Sequence, residues 1–429
     1  MNANIPILQD HSRVVIIGSG FAGLAAAKKL IRNKFQVVLL DRNNYHTFQP
    51  LLYQVATGGL EPDSIAYPIR KIFQGTGQLH FRMAEVEAVL PDENALSTSI
   101  GRITYDYLII ATGSQTNFFN FAKQEKHLMS LKNVPDALNL RSFILQNFEE
   151  ATTTIDHQAQ DALINIAIVG GGPTGVELAG ALGEMKKHVF PKDYPDFDTS
   201  RMRIVLLEAM PRLLGGMDEK AGIRALSDLK KIGVEVRLNS KVAYYDGKNL
   251  KTEDGFELST ETLIWSAGVK GQFPIGINPE LIVPGNRLQV DAFNRIVGYE
   301  NVFAVGDVAG MILPNQPRGF PMLAPVAIQQ GEQLAANLVR QSKGQGWKAF
   351  AYFDKGTMAT IGRNKAVVNF KGFMFGGVIA WLAWMFIHIL YLVGFRNKVA
   401  TLWGWVYNYF TYDRALRLII RPVEKNYTT

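Results

Sequence analysis

A chain of 429 residues, 47% hydrophobic and with a formal net charge of +7, has room for two or three folded domains and is neither a disordered nor a strongly basic polymer. Cysteine is absent, which excludes disulfides, thiolate nucleophiles, iron–sulfur clusters and cysteine-held zinc, so redox chemistry must come from a bound cofactor. No basic stripe interleaved with aromatics marks a nucleic-acid surface, and the N-terminal MNANIPILQDHSRVVIIG lacks the pattern of a secretory signal. No nucleic-acid partner is expected, and the chain is expected to stay on the cytoplasmic side.

The first informative stretch is RVVIIGSGFAGLAAAKKLIRNKFQVVLLDR, residues 13–42. It predicts strand, turn, helix and strand, with Gly18, Ser19, Gly20, Phe21, Ala22 and Gly23 at the turn and Asp41 closing the second strand. Gly18 permits the tight turn, Gly20 lets backbone amides approach a pyrophosphate, and Gly23 lets helix and strand pack closely. Asp41 can accept hydrogen bonds from a ribose. The pattern repeats in NIAIVGGGPTGVELAGAL, residues 165–182, and RIVLLEAM, 203–210, which ends its strand in Glu208. The longer glycine-to-acid distance falls in GEMKKHVFPKDYPDFDTS, 183–200, read as a helix extension and loop. Two dinucleotide sites therefore lie in one chain.

Three further strands end in small residues where a cofactor edge can approach: YDYLIIATGS (105–114), TLIWSAGV (262–269) and NVFAVGDVAG (301–310). The last leads through a loop into a helical pattern over 323–341. Together these features resemble the two-dinucleotide-binding flavoproteins, in which the first unit holds FAD and the second, inserted into it, holds NAD(P)H. That resemblance implies an α/β fold with two Rossmann-like domains and a C-terminal membrane-associating helical region. The expected division is an FAD domain over 1–125 and 287–345, an NADH domain over 126–286 and a membrane-anchoring region over 346–429.

Within that superfamily the local motifs HTFQPLLYQVATGGL (46–60), GGPTGVELAGAL (171–182), APVAIQQG (324–331), DKGTMATIGRNKAVV (354–368) and FIHILYLVGFRNKV (386–399) resemble the type II NADH:quinone oxidoreductases. The resemblance runs nearly end to end. It implies hydride transfer from NADH to FAD and two-electron reduction of a membrane quinone, with no proton pumping and no metal. It places Gly18 to Gly23 on the FAD pyrophosphate, Asp41 and Arg42 at its ribose, and Val86 near the adenine. Ala111, Thr112 and Gly113 would lie beside the cofactor, and Asp307 on the ribityl chain. The helix opening at Ala324 and Pro325 would aim its N-terminus at the pyrimidine side of the isoalloxazine. Pro325 stands where many members have Gln, a departure that bears on any quinone contact assigned there. Gly171, Gly172, Pro173, Thr174, Glu208 and Gly268 would hold NADH.

Two residues are candidates for the chemistry itself. Glu177 stands in the first turns of the second nucleotide helix, where the family's acidic residue meets nicotinamide and flavin; a carboxylate there also complements the helix dipole. Gln329 is the candidate polar group near the quinone headgroup, against a solvent-facing helical Gln. His46 and His388 are read as hydrogen-bonded histidines rather than proton donors.

The run from Gly372 to Phe395 contains 24 residues without Asp, Glu, Lys or Arg, long enough for a bilayer span, but Gly376, Gly377 and Gly394 shorten the expected helix. A second segment follows, with Val399, Leu402, Trp403, Val406 and Phe410 opposite Thr401 and Asn408. The expectation is monotopic attachment to one leaflet, with a single span as the alternative. Residues 396–429 carry Arg396, Lys398, Arg414, Arg417, Arg421 and Lys425 against Asp413 and Glu424, which suits an anionic lipid surface. A homodimer is left open. The rival functions are a soluble NAD(P)H-dependent ferredoxin or rubredoxin reductase and a non-enzymatic NADH-sensing flavoprotein.

Overall fold

The computed structural model describes residues 3–314, 316–370, 372–411 and 416–420. The tail residues Asp413, Arg414, Arg421, Glu424 and Lys425 lie outside them, as does Lys371. The chain divides into two compact units: Met1–His46, Tyr67–Gln115 and Val269–Asp354 form the first, and Thr47–Ala66, Thr116–Gly268 and Lys355–Thr429 the second.

In the first unit five parallel strands lie in the order Val302–Ala304, Tyr107–Ile110, Ser12–Ile17, Phe35–Asp41 and Leu79–Met83. Val14 to Ile17 and Val37 to Leu40 are buried without alternation, as a parallel sheet covered on both faces requires. The helices Phe21–Leu30 and Ala324–Gln341 meet closely, because a Cβ on Gly331 would lie 2.3 Å from the Ala22 carbonyl oxygen. Val15, Val38, Leu108, Leu288 and Val302 belong to one hydrophobic core.

The second unit repeats the plan. Its parallel strands run in the order Leu128–Met129, Thr262–Trp265, Ile166–Val169, Ile204–Leu207 and Val234–Arg237. The helix Pro173–His188 extends into the charged stretch after the glycines, and a short helix, Phe190–Asp193, follows. Phe190 stacks on Phe148 at 4.1 Å, which fixes this extension to the helix Val134–Thr153.

The apolar run near the C-terminus is not one helix. It begins as the strand Phe373–Gly376, paired antiparallel with Ala366–Phe370, turns at Gly377 with φ of +86°, and continues as the 14-residue helix Val378–Tyr391. Gly394, at φ of +87°, precedes a second helix, Phe395–Thr411. Fourteen residues rise about 21 Å, short of a bilayer core of about 30 Å. Among the described residues no helix is long and apolar enough to cross a membrane, so the single-span alternative does not describe this segment.

The second of these helices has its polar side chains turned inward. Asn397 and Thr401 are buried. Asn397 Nδ2 donates to the Ala66 carbonyl, Thr401 Oγ1 to that of Ser64 and Asn408 Nδ2 to that of Gly59. The apolar side chains face outward, with Phe395, Trp403 and Phe410 each more than two-thirds exposed. On Val378–Tyr391, Ala380 and Trp384 are buried while Ile379, Leu382, Phe386 and Leu390 are exposed.

Candidate functional site

The first glycine turn is fixed by steric necessity. Gly18 sits at φ of +99°, and a Cβ there would come within 2.4 Å of the Ala111 carbonyl oxygen; one on Gly23 would lie 1.9 Å from the Gly18 oxygen. A Cβ on Gly20, in contrast, would meet nothing within 4 Å, leaving a backbone cradle at the start of a helix that carries no side-chain cap. Such uncapped amides suit a pyrophosphate. Asp41 Oδ2 accepts from Ser19 N at 2.7 Å and Ser19 Oγ at 2.6 Å, and Oδ1 accepts from Asn43 N. Arg42 is exposed and Val86 half-buried at the start of its strand.

His46 lies beneath this turn, with Nδ1 2.9 Å from the Ser19 oxygen and its ring edge-on to Phe21. Burial lowers its pKa, so the neutral ring fastens the loop. Around the same sheet edge Thr112 Oγ1 donates to the Gln272 carbonyl, Gly113 turns at φ of +73°, and Ser114 Oγ donates to Asp307 Oδ2 at 2.5 Å. The helix Ala324–Gln341 opens with Pro325 in its first turn, no side-chain cap and no acidic residue there. Gln329 is held at both ends of its amide by Phe353: Nε2 donates to the Phe353 oxygen at 3.0 Å, and Phe353 N donates to Oε1 at 2.9 Å.

The second turn matches the first contact for contact. A Cβ on Gly170 would lie 2.7 Å from Ala267 Cα, one on Gly175 would lie 1.9 Å from the Gly170 oxygen, and one on Gly172 would meet nothing within 4 Å. Glu208 Oε2 accepts from Gly171 N at 2.5 Å and Oε1 from Met210 N at 2.8 Å. Pro173 and Thr174 are exposed at the helix start, and Gly268 closes its strand end at φ of +137°.

Glu177, one turn into that helix, is 7% exposed, and Thr360 N donates to its Oε1 at 3.3 Å. Burial pushes its pKa up to about 8. The buried Trp384 indole nitrogen makes no hydrogen bond of good geometry among the described residues, yet lies close enough to favour the charged carboxylate. Tyr53, Glu177, Glu184, Arg363, Trp384 and Trp405 line a small cleft, of about 110 Å³, within the second unit. His388 stacks on Trp384 at 3.9 Å and its Nδ1 lies 2.7 Å from the Trp384 oxygen; burial lowers its pKa to about 4. The neutral ring is a packing partner. Thr360, Trp384 and Tyr53 are not assigned to this site by the sequence. Their only signals are membership of the motifs over 354–368 and 46–60, for Thr360 and Tyr53, and of the apolar run after Gly372, for Trp384.

These two turns, each with an acid at the end of its second strand, define a flavoprotein class. The family model for pyridine nucleotide-disulphide oxidoreductases matches residues 12–331. Ndh of Mycobacterium tuberculosis, a type II NADH:quinone oxidoreductase, is 36% identical over 422 residues, covering 94% of this chain and 89% of its own length. NdhA of the same organism is 37% identical, covering 92% and 86%. The chain belongs to the type II NADH:quinone oxidoreductases. The fold agrees: NDH2 of Plasmodium falciparum, solved with NADH, superposes with a TM-score of 0.84 at 20% identity over 96% of this chain and 100% of that one. The sulfide:quinone oxidoreductase of Aquifex aeolicus follows at 0.68, with 19% identity over 94% and 96%.

Proposed function

We propose that this chain oxidises NADH through bound FAD and delivers two electrons to a membrane quinone without pumping protons, working from the cytoplasmic face of the membrane. FAD supplies the two-electron carrier between the two substrates. Everything else falls to the protein. The uncapped turn from Gly18 to Gly23 holds the FAD pyrophosphate, Asp41 its ribose and Asp307 its ribityl chain. The start of the helix at Ala324 offers a positive dipole end to the ring. Gly171, Gly172, Pro173 and Thr174 hold the pyrophosphate of NADH. Glu208 still has lone pairs for the ribose 2′-hydroxyl after accepting from Gly171 and Met210. Glu177 keeps a proton in the neutral range and can exchange it near the nicotinamide as ring charge changes. For Gln329 to reach a quinone headgroup it would have to release a hydrogen bond to Phe353.

The observation that carries the nucleotide half is the pair of open cradles, at Gly20 and Gly172, that a Cβ would fill. The membrane half is supported by the inverted helix Phe395–Thr411, whose polar face is consumed by loop carbonyls while its apolar face stays exposed. A lipid surface covers such a face at no cost in unpaired polar groups.

Steady-state NADH oxidation by the purified protein with a short-chain quinone tests the whole scheme. Fast turnover with quinone and none with ferredoxin is expected. NADH binding without turnover would favour the sensing flavoprotein, and turnover confined to protein acceptors would favour the soluble reductase.

A further inference from the structure

The stretch Asn117-Phe118-Phe119-Asn120-Phe121 places three aromatic rings in five residues, and the fold treats them differently. Phe118 and Phe121 pack inward on the buried Trp265, at ring separations of 6.3 and 5.2 Å. Phe119 is 57% exposed and has φ of +47°. A bulky side chain is rarely held in that left-handed conformation, which Gly or Asn adopts with less strain. The arrangement is nonetheless firmly fixed. Phe119 N donates to Asn117 Oδ1, Asn117 N donates to the Gly268 oxygen, and Trp265 Nε1 donates to the Asn117 oxygen. The Phe119 ring consequently stands against Gly268, with Cζ and Cε2 3.2 and 3.4 Å from where a Cβ of Gly268 would be.

The sheet order says what that ring faces. From the glycine turn after Ile166–Val169, the strand Ile204–Leu207 with Glu208 lies on one side and Thr262–Trp265, leading to Gly268, on the other. A dinucleotide with its pyrophosphate at the turn and its adenosine ribose on Glu208 must run its other half towards Gly268, since ligands cross the carboxyl ends of such strands. We propose that Phe119 forms one wall of the nicotinamide pocket, its exposed ring making an aromatic contact that positions the hydride donor. The proposal rests on the placement of NADH on this unit given above. It explains why an exposed phenylalanine is kept at a backbone angle that suits glycine, since strained conformations persist where a ligand uses them.

Three variants test this in the full-length holoenzyme. Phe119→Ala and Phe119→Gly should each raise the NADH concentration for half-maximal flavin reduction in rapid mixing by about three- to tenfold, the range for loss of one aromatic contact. Reoxidation by quinone should be unchanged. Phe119→Tyr should restore NADH use. Phe119→Gly, relieved of the strained angle, should melt no lower than wild type, so a loss of NADH use in that variant is not a loss of folding. Wild-type half-saturation in both the Ala and Gly variants would overturn the proposal, as would defects that simply track melting temperature across the set. Glu208→Gln separates the two layers. If it shifts the preference for NADH over NADPH while Phe119→Ala changes nothing, only the Phe119 proposal fails; if neither moves NADH use, the placement of NADH on this sheet fails with it.

Discussion

The two glycine turns are nearly the same object, yet their helices are put to different uses. In each, the third glycine would drive a Cβ to 1.9 Å from the first glycine's oxygen, the middle position opens on empty space, and a carboxylate at the end of the second strand accepts from a backbone amide of the turn. Beyond the turn they part. The helix Phe21–Leu30 buries small residues against Gly306 and Gly331, with no ionisable group on its buried face. The helix Pro173–His188 buries Glu177 and meets the backbone of Ile361 and Gly362 at Gly180. On the proposed function, the turn is a shared device for holding a pyrophosphate, and the buried face of the following helix sets whether a unit merely holds its ligand or brings an ionisable group, Glu177, to it.

The strongest way to break this comparison is to remove each turn separately. Gly23→Ala should abolish FAD retention and with it all turnover, because neither oxygen nor helix can give way by the distance needed. Gly175→Ala should leave the flavin bound and lower the efficiency of NADH oxidation by about two orders of magnitude, on the scale of a lost pyrophosphate grip. Flavin absorbance per chain distinguishes the two. Flavin loss in the Gly175 variant would mean that the units do not divide the nucleotides as described.

A control outside both turns is the exposed face of the last helix. Deleting everything from residue 372 would be a poor experiment, since Trp384, Asn397 and Thr401 are buried parts of the second unit. The double substitution of Trp403→Glu and Phe410→Glu places charge only where side chains are exposed. Flotation with anionic vesicles should fall at least about tenfold, because two apolar contacts are replaced by charges a bilayer rejects. Turnover with short-chain quinone should persist. Retained flotation would remove the membrane role from this face.

Glu177→Gln sharpens the difference between the helices. Turnover at neutral pH should drop by roughly ten- to a hundredfold if the carboxyl exchanges protons, with FAD still bound. Stability should move the other way. The folded carboxyl keeps its proton from the ordinary 4.5 up to about 8, whereas the unfolded chain ionises first. Stability is therefore greatest below the unfolded value, falls as pH rises through this window, and levels off above it. Gln has no such loss. The variant should melt several degrees higher than wild type at pH 8 and about equally at pH 4.5. Equal melting at both pH values would show that Glu177 is ionised in the fold.

How much of this was legible beforehand follows from where the information lies. The turns could be read because their tightest constraint is local: Gly23 must pass the oxygen of Gly18, within the same six residues. The environment of Glu177 could not, because Thr360 and Trp384 come from about two hundred residues away and no spacing rule links them. The final helix was visible as amphipathic, but sequence pattern alone cannot say which face looks inward. That was settled by carbonyls of residues 59–66, which claim Asn397, Thr401 and Asn408. In the apolar run after Gly372 the glycines could be read as shortening the helix, which lies between Gly377 and Gly394, whereas the strand pairing with Ala366–Phe370 could not, because its partner is set by the fold. Gln329 has the composition of a surface residue, and only the fold brings Phe353 to its amide.

The smallest expected effect bears on the acids, where the two turns differ by one methylene. Glu208 accepts from both Gly171 N and Met210 N; with NADH placed as proposed, its charge would face a 2′-phosphate of NADPH and should repel it. Glu208→Gln removes the charge while leaving an oxygen for one of those amides. The preference for NADH over NADPH should narrow by about tenfold, the worth of one charge repulsion near a solvated surface, with NADH efficiency falling only a fewfold. A full reversal is not expected. Arg212, the nearby cation that could have greeted a phosphate, has its Nη2 on the Gly215 oxygen at 2.8 Å and its Nη1 on that of Met217 at 3.3 Å, so it would have to leave two carbonyls to help. Comparison of catalytic efficiencies with both nucleotides at low and high salt reads this directly: the gap between wild type and variant should shrink as salt rises. A preference that ignores both the substitution and the salt would assign the discrimination to the shape of the pocket instead of to the carboxylate.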